Sequence, residues 1–275
     1  MLKSKFEGLR QIWHFSNHWH LIVTRVLFPR EPLLIYRLKD ICFLEDHAAG
    51  DECGARSLLT TPMYRKLLQQ MDLRGPLKVL DIGSSNGGFP LLLQACGLEL
   101  EKVACVEMNP KTFMRMKWNV ERNVQSIQFL RNAAVCGQSA PLTLTLASGN
   151  TGDSIYKATH RTHGRSYNID GITFNELYET AFGQDIVDIC KMDIEKAEYD
   201  VFDSEAHDAI RGCRYLLIEI HQPPANHSAE QLIAKLTKLG FVDIVNAKSD
   251  ARPGVYGFRN VSIGRGAVKS APQSH

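Results

Sequence analysis

Val79-Leu80-Asp81-Ile82-Gly83-Ser84-Ser85-Asn86-Gly87-Gly88-Phe89-Pro90 is the stretch that decides the fold. It opens as a buried strand and breaks into a turn of small residues. It then enters a helix whose first turn carries Pro90, a position where the missing N–H does no harm. Small residues at such a turn let the backbone approach a ligand closely and adopt unusual φ values. Open α/β sheets bind ligands at this place, the carboxyl end of a first strand.

Working outward, the next informative position is Glu107, which ends the apolar run Val103-Ala104-Cys105-Val106 and lies 26 residues after Asp81. A carboxylate at the tip of a second strand is placed to accept both hydroxyls of an adenosyl ribose. Two cofactor classes use such a turn. A dinucleotide fingerprint wants glycine at its first, third and sixth places, and here those places hold Gly83, Ser85 and Gly88. The middle glycine, where a pyrophosphate would approach, is missing. S-adenosylmethionine carries no phosphate and tolerates Ser85, and Asp81 suits a ligand with an α-ammonium group. The expected cofactor set is therefore Asp81, Gly83, Ser84, Ser85, Asn86, Gly87 and Glu107. Met108 is expected along the adenine and Asn132 at its edge, with Ala133 beside them.

Elsewhere the chain alternates strand-like and helix-like segments. Apolar runs occur at 78–82, 103–106, 127–130, 142–146, 186–194, 215–220, 241–245 and 255–262. Several are continuously apolar, as strands buried on both faces are. Asn109-Pro110 opens a helix, Thr173 with Glu176 and Ser228 with Gln231 form capping-box patterns, and Gly240 closes the last helix. Such alternation predicts a doubly wound, mainly parallel α/β sheet. Residues 1–76 have a different texture. Histidines and aromatics (Trp13, His14, Phe15, His18, Trp19, His20) precede a short hairpin at 33–45 and a helix after Thr61-Pro62. The expected organisation is an N-terminal extension over 1–76, a cofactor-binding domain over 77–264 and a disordered tail over 265–275. The aromatic N-terminus reads as a packing helix or a homo-oligomer contact rather than a metal site.

Composition narrows the classes. Apolar residues make up 44%, charged residues 23%, and the formal charge is +2. The basic residues are scattered rather than striped, so nothing calls for nucleic acid. Seven cysteines without CxxC spacing, no signal-peptide pattern and no apolar run long enough for a membrane span point to a reducing cytoplasm.

The ordered motifs resemble the FkbM family of S-adenosylmethionine-dependent methyltransferases. They are Asp81-Ile82-Gly83-Ser84-Ser85-Asn86-Gly87, then Glu107-Met108-Asn109-Pro110, then Ala133-Ala134-Val135-Cys136-Gly137. Last come Lys191-Met192-Asp193-Ile194-Glu195-Lys196-Ala197-Glu198 and Glu219-Ile220-His221. The resemblance spans roughly 78–222. It implies a class I, Rossmann-like methyltransferase with a seven-stranded sheet, and O-methylation of a sugar or natural-product-like small molecule. Two departures stand out: Ser84-Ser85 replaces an Ala-Asn pair, and Lys196 replaces the glycine of an "EG" turn.

Methyl transfer to an alcohol needs positioning and a route for the proton. Asp193 ends the fourth strand of the motif order and His221 the next, with Glu195 close behind. Asp193, His221 and Glu195 are the candidate catalytic residues, with His221 read as a base of ordinary pKa near neutrality. The same three side chains offer oxygen and nitrogen ligands to a divalent metal, without diagnostic spacing. Lys191 is expected to bury its stem and pair with an acid. The rival readings are a nicotinamide-dependent oxidoreductase and a non-catalytic methyltransferase-like module.

Overall fold

The computed structural model describes residues 10–146, 165–244 and 253–264. The expected tail at 265–275 lies outside the described residues. A two-stranded antiparallel hairpin, β1 (Leu33–Leu38) and β2 (Ile41–Asp46), precedes the main sheet. That sheet contains β3 (Leu77–Ile82), β4 (Leu100–Glu107), β5 (Ile127–Val135), β6 (Ala140–Leu146), β7 (Arg165–Ile172), β8 (Val187–Met192), β9 (Cys213–Ile220), β10 (Phe241–Asp243) and β11 (Gly254–Asn260). Their order is β10-β11-β9-β8-β3-β4-β5-β7-β6. The centre, from β9 to β7, is parallel, and both ends are antiparallel. The fold class expected from the sequence is therefore present, with nine described strands where seven were expected. The strand that the apolar runs did not reveal is β7. Its Ser166, Asn168 and Asp170 are exposed, so it alternates like a strand near a sheet edge.

Period-two alternation assigns the two faces of the sheet. Leu80, Ile82, Ala104, Val106, Cys190 and Leu216 share one apolar core with helices α6 (Phe174–Phe182), α7 (Ala197–Asp203) and α8 (Ala229–Lys238). Val79, Val103, Cys105, Ile189, Tyr215 and Leu217 face the other core. This second layer holds α4 (Gly88–Ala95), α5 (Pro110–Asn123) and much of the N-terminal segment, including Leu21, Tyr36, Phe43 and Tyr64. That segment comprises α1 (His18–Leu27), the hairpin, α2 (Ala55–Thr60) and α3 (Met63–Leu68). Cys105 and Cys190 are both fully buried, as small core residues.

The helix starts follow their sequence signals. Asn109 caps α5 by accepting from the N–H groups of Lys111 and Thr112, with Pro110 at the first position. Ser228 and Gln231 form a complete capping box. At α6 only half the box forms. Thr173 accepts from the Glu176 N–H, whereas the Glu176 carboxylate turns to Ser139 and Arg131.

Polar contacts fasten the N-terminal segment to the second layer. The polar break before α2 holds a short 3-10 turn, Asp51–Cys53, whose Asp51 carboxylate receives Arg115 Nε at 2.5 Å and Nη2 at 2.9 Å, all of it buried. The Asn119 side chain exchanges hydrogen bonds with the backbone of Leu44 in β2 and donates to the carbonyl of Asn86 at 2.7 Å. Asn86 in turn accepts from the Ala55 N–H at 2.7 Å. Gly88 admits this contact, since a Cβ there would lie 2.7 Å from the Cα of Ala55.

Candidate active site

Strand order reverses at β3, which pairs with β4 on one side and β8 on the other. Open α/β sheets form their ligand crevice at such a switch point. Here the crevice is a cleft of about 350 Å³ over the carboxyl ends of β3, β4, β8 and β9. Strand parity explains which side it occupies. Asp81, Glu107, Lys191, Asp193, Glu219 and His221 each follow, at even spacing, residues that face the second core. The N-terminal segment therefore supplies the opposite wall, with Cys53, Ser57, Leu58, Thr61, Met63 and Tyr64.

The turn after β3 is shaped by close packing. Gly83 has φ 73°, and a Cβ there would lie 1.7 Å from the carbonyl oxygen of Asp193. No side chain fits while β3 and β8 stay paired. Ser85 has φ 49° and lines the cleft, and its buried Oγ has no hydrogen-bond partner among the described residues. Gly87 caps α4 in the left-handed conformation, and Ser84 Oγ donates to the Asp81 carbonyl. These two, with Asn86, shape the turn from behind and do not line the cleft.

Glu107 lines the cleft, as expected. One carboxylate oxygen accepts from the Ser85 N–H at 2.9 Å and the other from the Asn109 N–H at 2.8 Å. Each oxygen keeps a lone pair for a further donor. Burial pushes its pKa up to about 7, against the pull of the Asn109 and Ser85 N–H groups. Met108 and Ala133 also line the cleft. Two further expected residues, like Ser84, Asn86 and Gly87, stand back from the cleft. Asn132 does not line the cleft, because its amide donates to the carbonyls of Glu107 and Met108 and so anchors the strand tip. Asp81 is fully buried behind the turn, 3.4 Å from Lys191 Nζ, and does not line the cleft. Register explains the pairing, since Asp81 sits opposite Lys191 across β3 and β8. Burial would lower the Lys191 pKa, but the carboxylates of Asp81 and Asp193 hold it raised. Its ammonium also donates to the Gly83 carbonyl at 3.2 Å, so Lys191 is the structural cation that the sequence suggests.

On the far wall stand Asp193, Glu195, Glu219 and His221. His221 Nε2 lies 3.7 Å from Asp193, 3.9 Å from Glu195 and 4.0 Å from Glu219. Its Nδ1 lies 3.1 Å from fully buried Glu198. Burial lowers the imidazole pKa, but the hydrogen bond to Glu198 and the charges of Glu198, Glu195 and Asp193 outweigh it and lift the value to about 9. His221 is thus a cation at neutral pH, which corrects its reading as a base of ordinary pKa. Asp193, Glu219 and His221 bring ligand atoms within 4.8 Å of one another.

A family model for the methyltransferase FkbM domain matches residues 92–242, more than half of the chain. The chain belongs to the FkbM methyltransferase family. It is accordingly an S-adenosylmethionine-dependent methyltransferase by family, and the oxidoreductase reading is set aside. No curated protein matches it significantly. Among solved structures it is similar to a SAM-dependent methyltransferase from Agrobacterium tumefaciens. That likeness has 13% identity and TM-score 0.46 over 83% of this chain and 70% of the other. It is also similar to Aeropyrum pernix fibrillarin in complex with natively bound S-adenosyl-L-methionine, with 12% identity and TM-score 0.43 over 83% of this chain and 94% of the other. A third is M. capricolum TrmK in complex with S-adenosylhomocysteine, with 9% identity and TM-score 0.41 over 74% and 70%.

In this FkbM methyltransferase the cleft fits the family's cofactor on two observations. Ser85 Oγ is a buried group beside the cleft with no partner among the described residues, and the Glu107 carboxylate has spare lone pairs there. The family's "EG" turn survives its lysine. Glu195 and Lys196 take φ 50° and 83°, the left-handed region that glycine would occupy without strain. Sequence reading missed Glu219 and Tyr64 as cleft residues. Glu219 had a signal, since it stands two before His221 on one strand and so shares its side. Tyr64 had none, because it comes from α3, far off in sequence.

Proposed function

We propose that the protein is an O-methyltransferase that methylates a hydroxyl group of a small-molecule acceptor of the sugar or natural-product kind. The observation that carries this reading is the convergence of Asp193, Glu219 and His221 on one point of the cleft. An alcohol must lose its proton as the methyl arrives, and a group that receives it speeds transfer. When bound, S-adenosylmethionine supplies an electrophilic methyl group on a sulfonium. Glu107 would accept hydrogen bonds from the ribose hydroxyls, Ser85 would donate to the ligand, Met108 and Ala133 would line the adenine side, and Gly83 would allow the close approach. The acceptor proton goes to Glu219. Its carboxyl is raised by burial and by the neighbouring Asp193 charge, which makes it a stronger base than an ordinary glutamate. His221, held by Glu198, directs its second N–H toward the acids and the acceptor oxygen.

Asp193, Glu219 and His221 also present the donor set that would hold a divalent cation, which would supply Lewis-acid polarisation of the acceptor oxygen. Chelator sensitivity of turnover separates that version from the plain base.

The test is a panel of hydroxylated acceptors and their amine analogues, incubated with the protein and S-adenosylmethionine, with products located by mass spectrometry. Methyl ethers are expected. Methylation confined to nitrogen or carbon would overturn the reading.

A further inference from the structure

Away from the cleft, the most unusual surface is the N-terminal segment. Of the fifteen large apolar side chains that stay exposed among the described residues, eight fall within residues 13–35: Trp13, Trp19, Val23, Val26, Leu27, Phe28, Leu33 and Ile35. The other seven are scattered from Met63 to Val261. Helical spacing places Trp19, Val23 and Val26 on one face of α1, opposite buried Leu21. Trp13 packs edge-on to Trp19 at 5.4 Å. Along β1, Leu33 and Ile35 point outward between the buried Leu34 and Tyr36. Asn17, at the start of α1, ties to Ile35 and Arg37, so helix and strand present one continuous surface. A contiguous apolar patch this rich in aromatics marks an interaction site rather than ordinary exposure.

Charge decides what covers it. From residue 8 to residue 30 the sequence contains no acid, and it carries Arg10, Arg30, His14, His18 and His20, while Arg25 turns inward onto the His47 ring. Arg37 and Lys39 are exposed just beyond, and Glu31 and Asp40 are the acids at the margin. A symmetric dimer through this face would set the patch against itself and bring like charges together. An anionic lipid surface has the complementary character. Tryptophan, phenylalanine and leucine enter the headgroup boundary while arginines meet lipid phosphates.

We infer that this face is a docking surface for anionic membranes, on which α1 lies in the plane of the interface. The helix is ten residues long, and no described helix is long and apolar enough to cross a membrane, so the contact is peripheral. The inference stands independently of the acceptor chemistry.

The experiment is sedimentation of the full chain with vesicles of phosphatidylcholine containing roughly one-third phosphatidylglycerol, beside vesicles of phosphatidylcholine alone. Binding to the anionic vesicles that weakens as salt rises is expected. Trp19→Asp with Val26→Asp should abolish it, and Arg10→Glu or Arg30→Glu should each weaken it roughly 5-fold or more. Cofactor binding measured on the same samples reports that the variants fold; it should not change. Equal binding to neutral vesicles, or none to either, overturns the inference. So does a dimer seen by light scattering that the same apolar variants dissociate.

Discussion

Oε1 of Glu198 lies 2.8 Å from the backbone nitrogen of His221 and 3.1 Å from its Nδ1. One buried oxygen therefore fixes both the end of β9 and the angle of the imidazole ring. The proton that this arrangement holds on His221 leads to the first prediction. Its pKa is lifted to about 9 from 6.5. A group raised in the folded state stabilises the fold fully below its unfolded value and loses that contribution as pH climbs through the folded one. Stability should fall between pH 6.5 and 9, and less so in Glu198→Gln. A His221 ring that titrates near 6.5 by NMR would contradict this account.

Cofactor affinity should depend on pH through Glu107. Its carboxyl titrates at about 7 in the protein alone, and ribose hydroxyls donate best to the ionised form. Binding should tighten as pH rises through about 7, with proton release visible by calorimetry in buffers of different ionisation heat. Glu107→Ala should weaken binding by roughly 1.5–3 kcal/mol. An unchanged dissociation constant would reduce Glu107 to an anchor for the Ser85 and Asn109 N–H groups.

On the acceptor wall, Asp193→Asn and Glu219→Gln should each lower turnover by about 10²-fold while leaving cofactor affinity nearly intact. His221→Ala should do the same. Full turnover in the Glu219 variant would move the proton to Asp193, and full turnover in all three would leave positioning alone to carry the reaction.

The turn that replaces the family's glycine offers a stability test. Lys196 sits at φ 83°, where a residue with a Cβ is disfavoured by about 1–2 kcal/mol. Lys196→Gly relieves that strain but loosens the unfolded chain, for a net gain of about 0.5–1 kcal/mol. Gly83→Ala is the opposite case, since the added methyl would collide with the Asp193 carbonyl. Its melting temperature should fall well below that of Gly75→Ala, where φ is 69° but nothing lies within 4 Å. Equal losses in the two alanine variants would show that dihedral strain, not the clash, dominates.

Breaking the buried Asp51–Arg115 pair should destabilise more than any surface change. Asp51→Asn leaves a buried guanidinium without its counter-charge, a loss of about 3–5 kcal/mol. Denaturant unfolding with a loss below ~1 kcal/mol would show that Asp46, 3.7 Å from the same guanidinium, takes over.

Most of the sheet was legible because its central strands are apolar on both faces, and the caps of α5 and α8 announced themselves. Strand β7, one in from the edge strand β6, was not, since alternation with Ser166, Asn168 and Asp170 resembles a loop. Within the site, Glu107 was readable from spacing alone. The pairing of Asp81 was not legible, because a carboxylate two residues before a glycine says nothing of its partner, and Lys191 lies more than a hundred residues away. His221 was correctly placed in the cleft but wrongly charged, because its protonation depends on Glu198, Glu195 and Asp193 gathering around one ring.

Asn119 joins the hairpin to the turn after β3 through a pair of hydrogen bonds with the Leu44 backbone and one to the Asn86 carbonyl. The walls of the cleft thus have separate origins in the chain but a common hinge pin. Exchanging the first seventy residues for those of a relative would transplant more than a cover, because Asn86, Ala55 and Asn119 would have to change in step. On this wall, change in the cleft would then fall to the side chains that face inward between Cys53 and Tyr64, with the path of their backbone held constant.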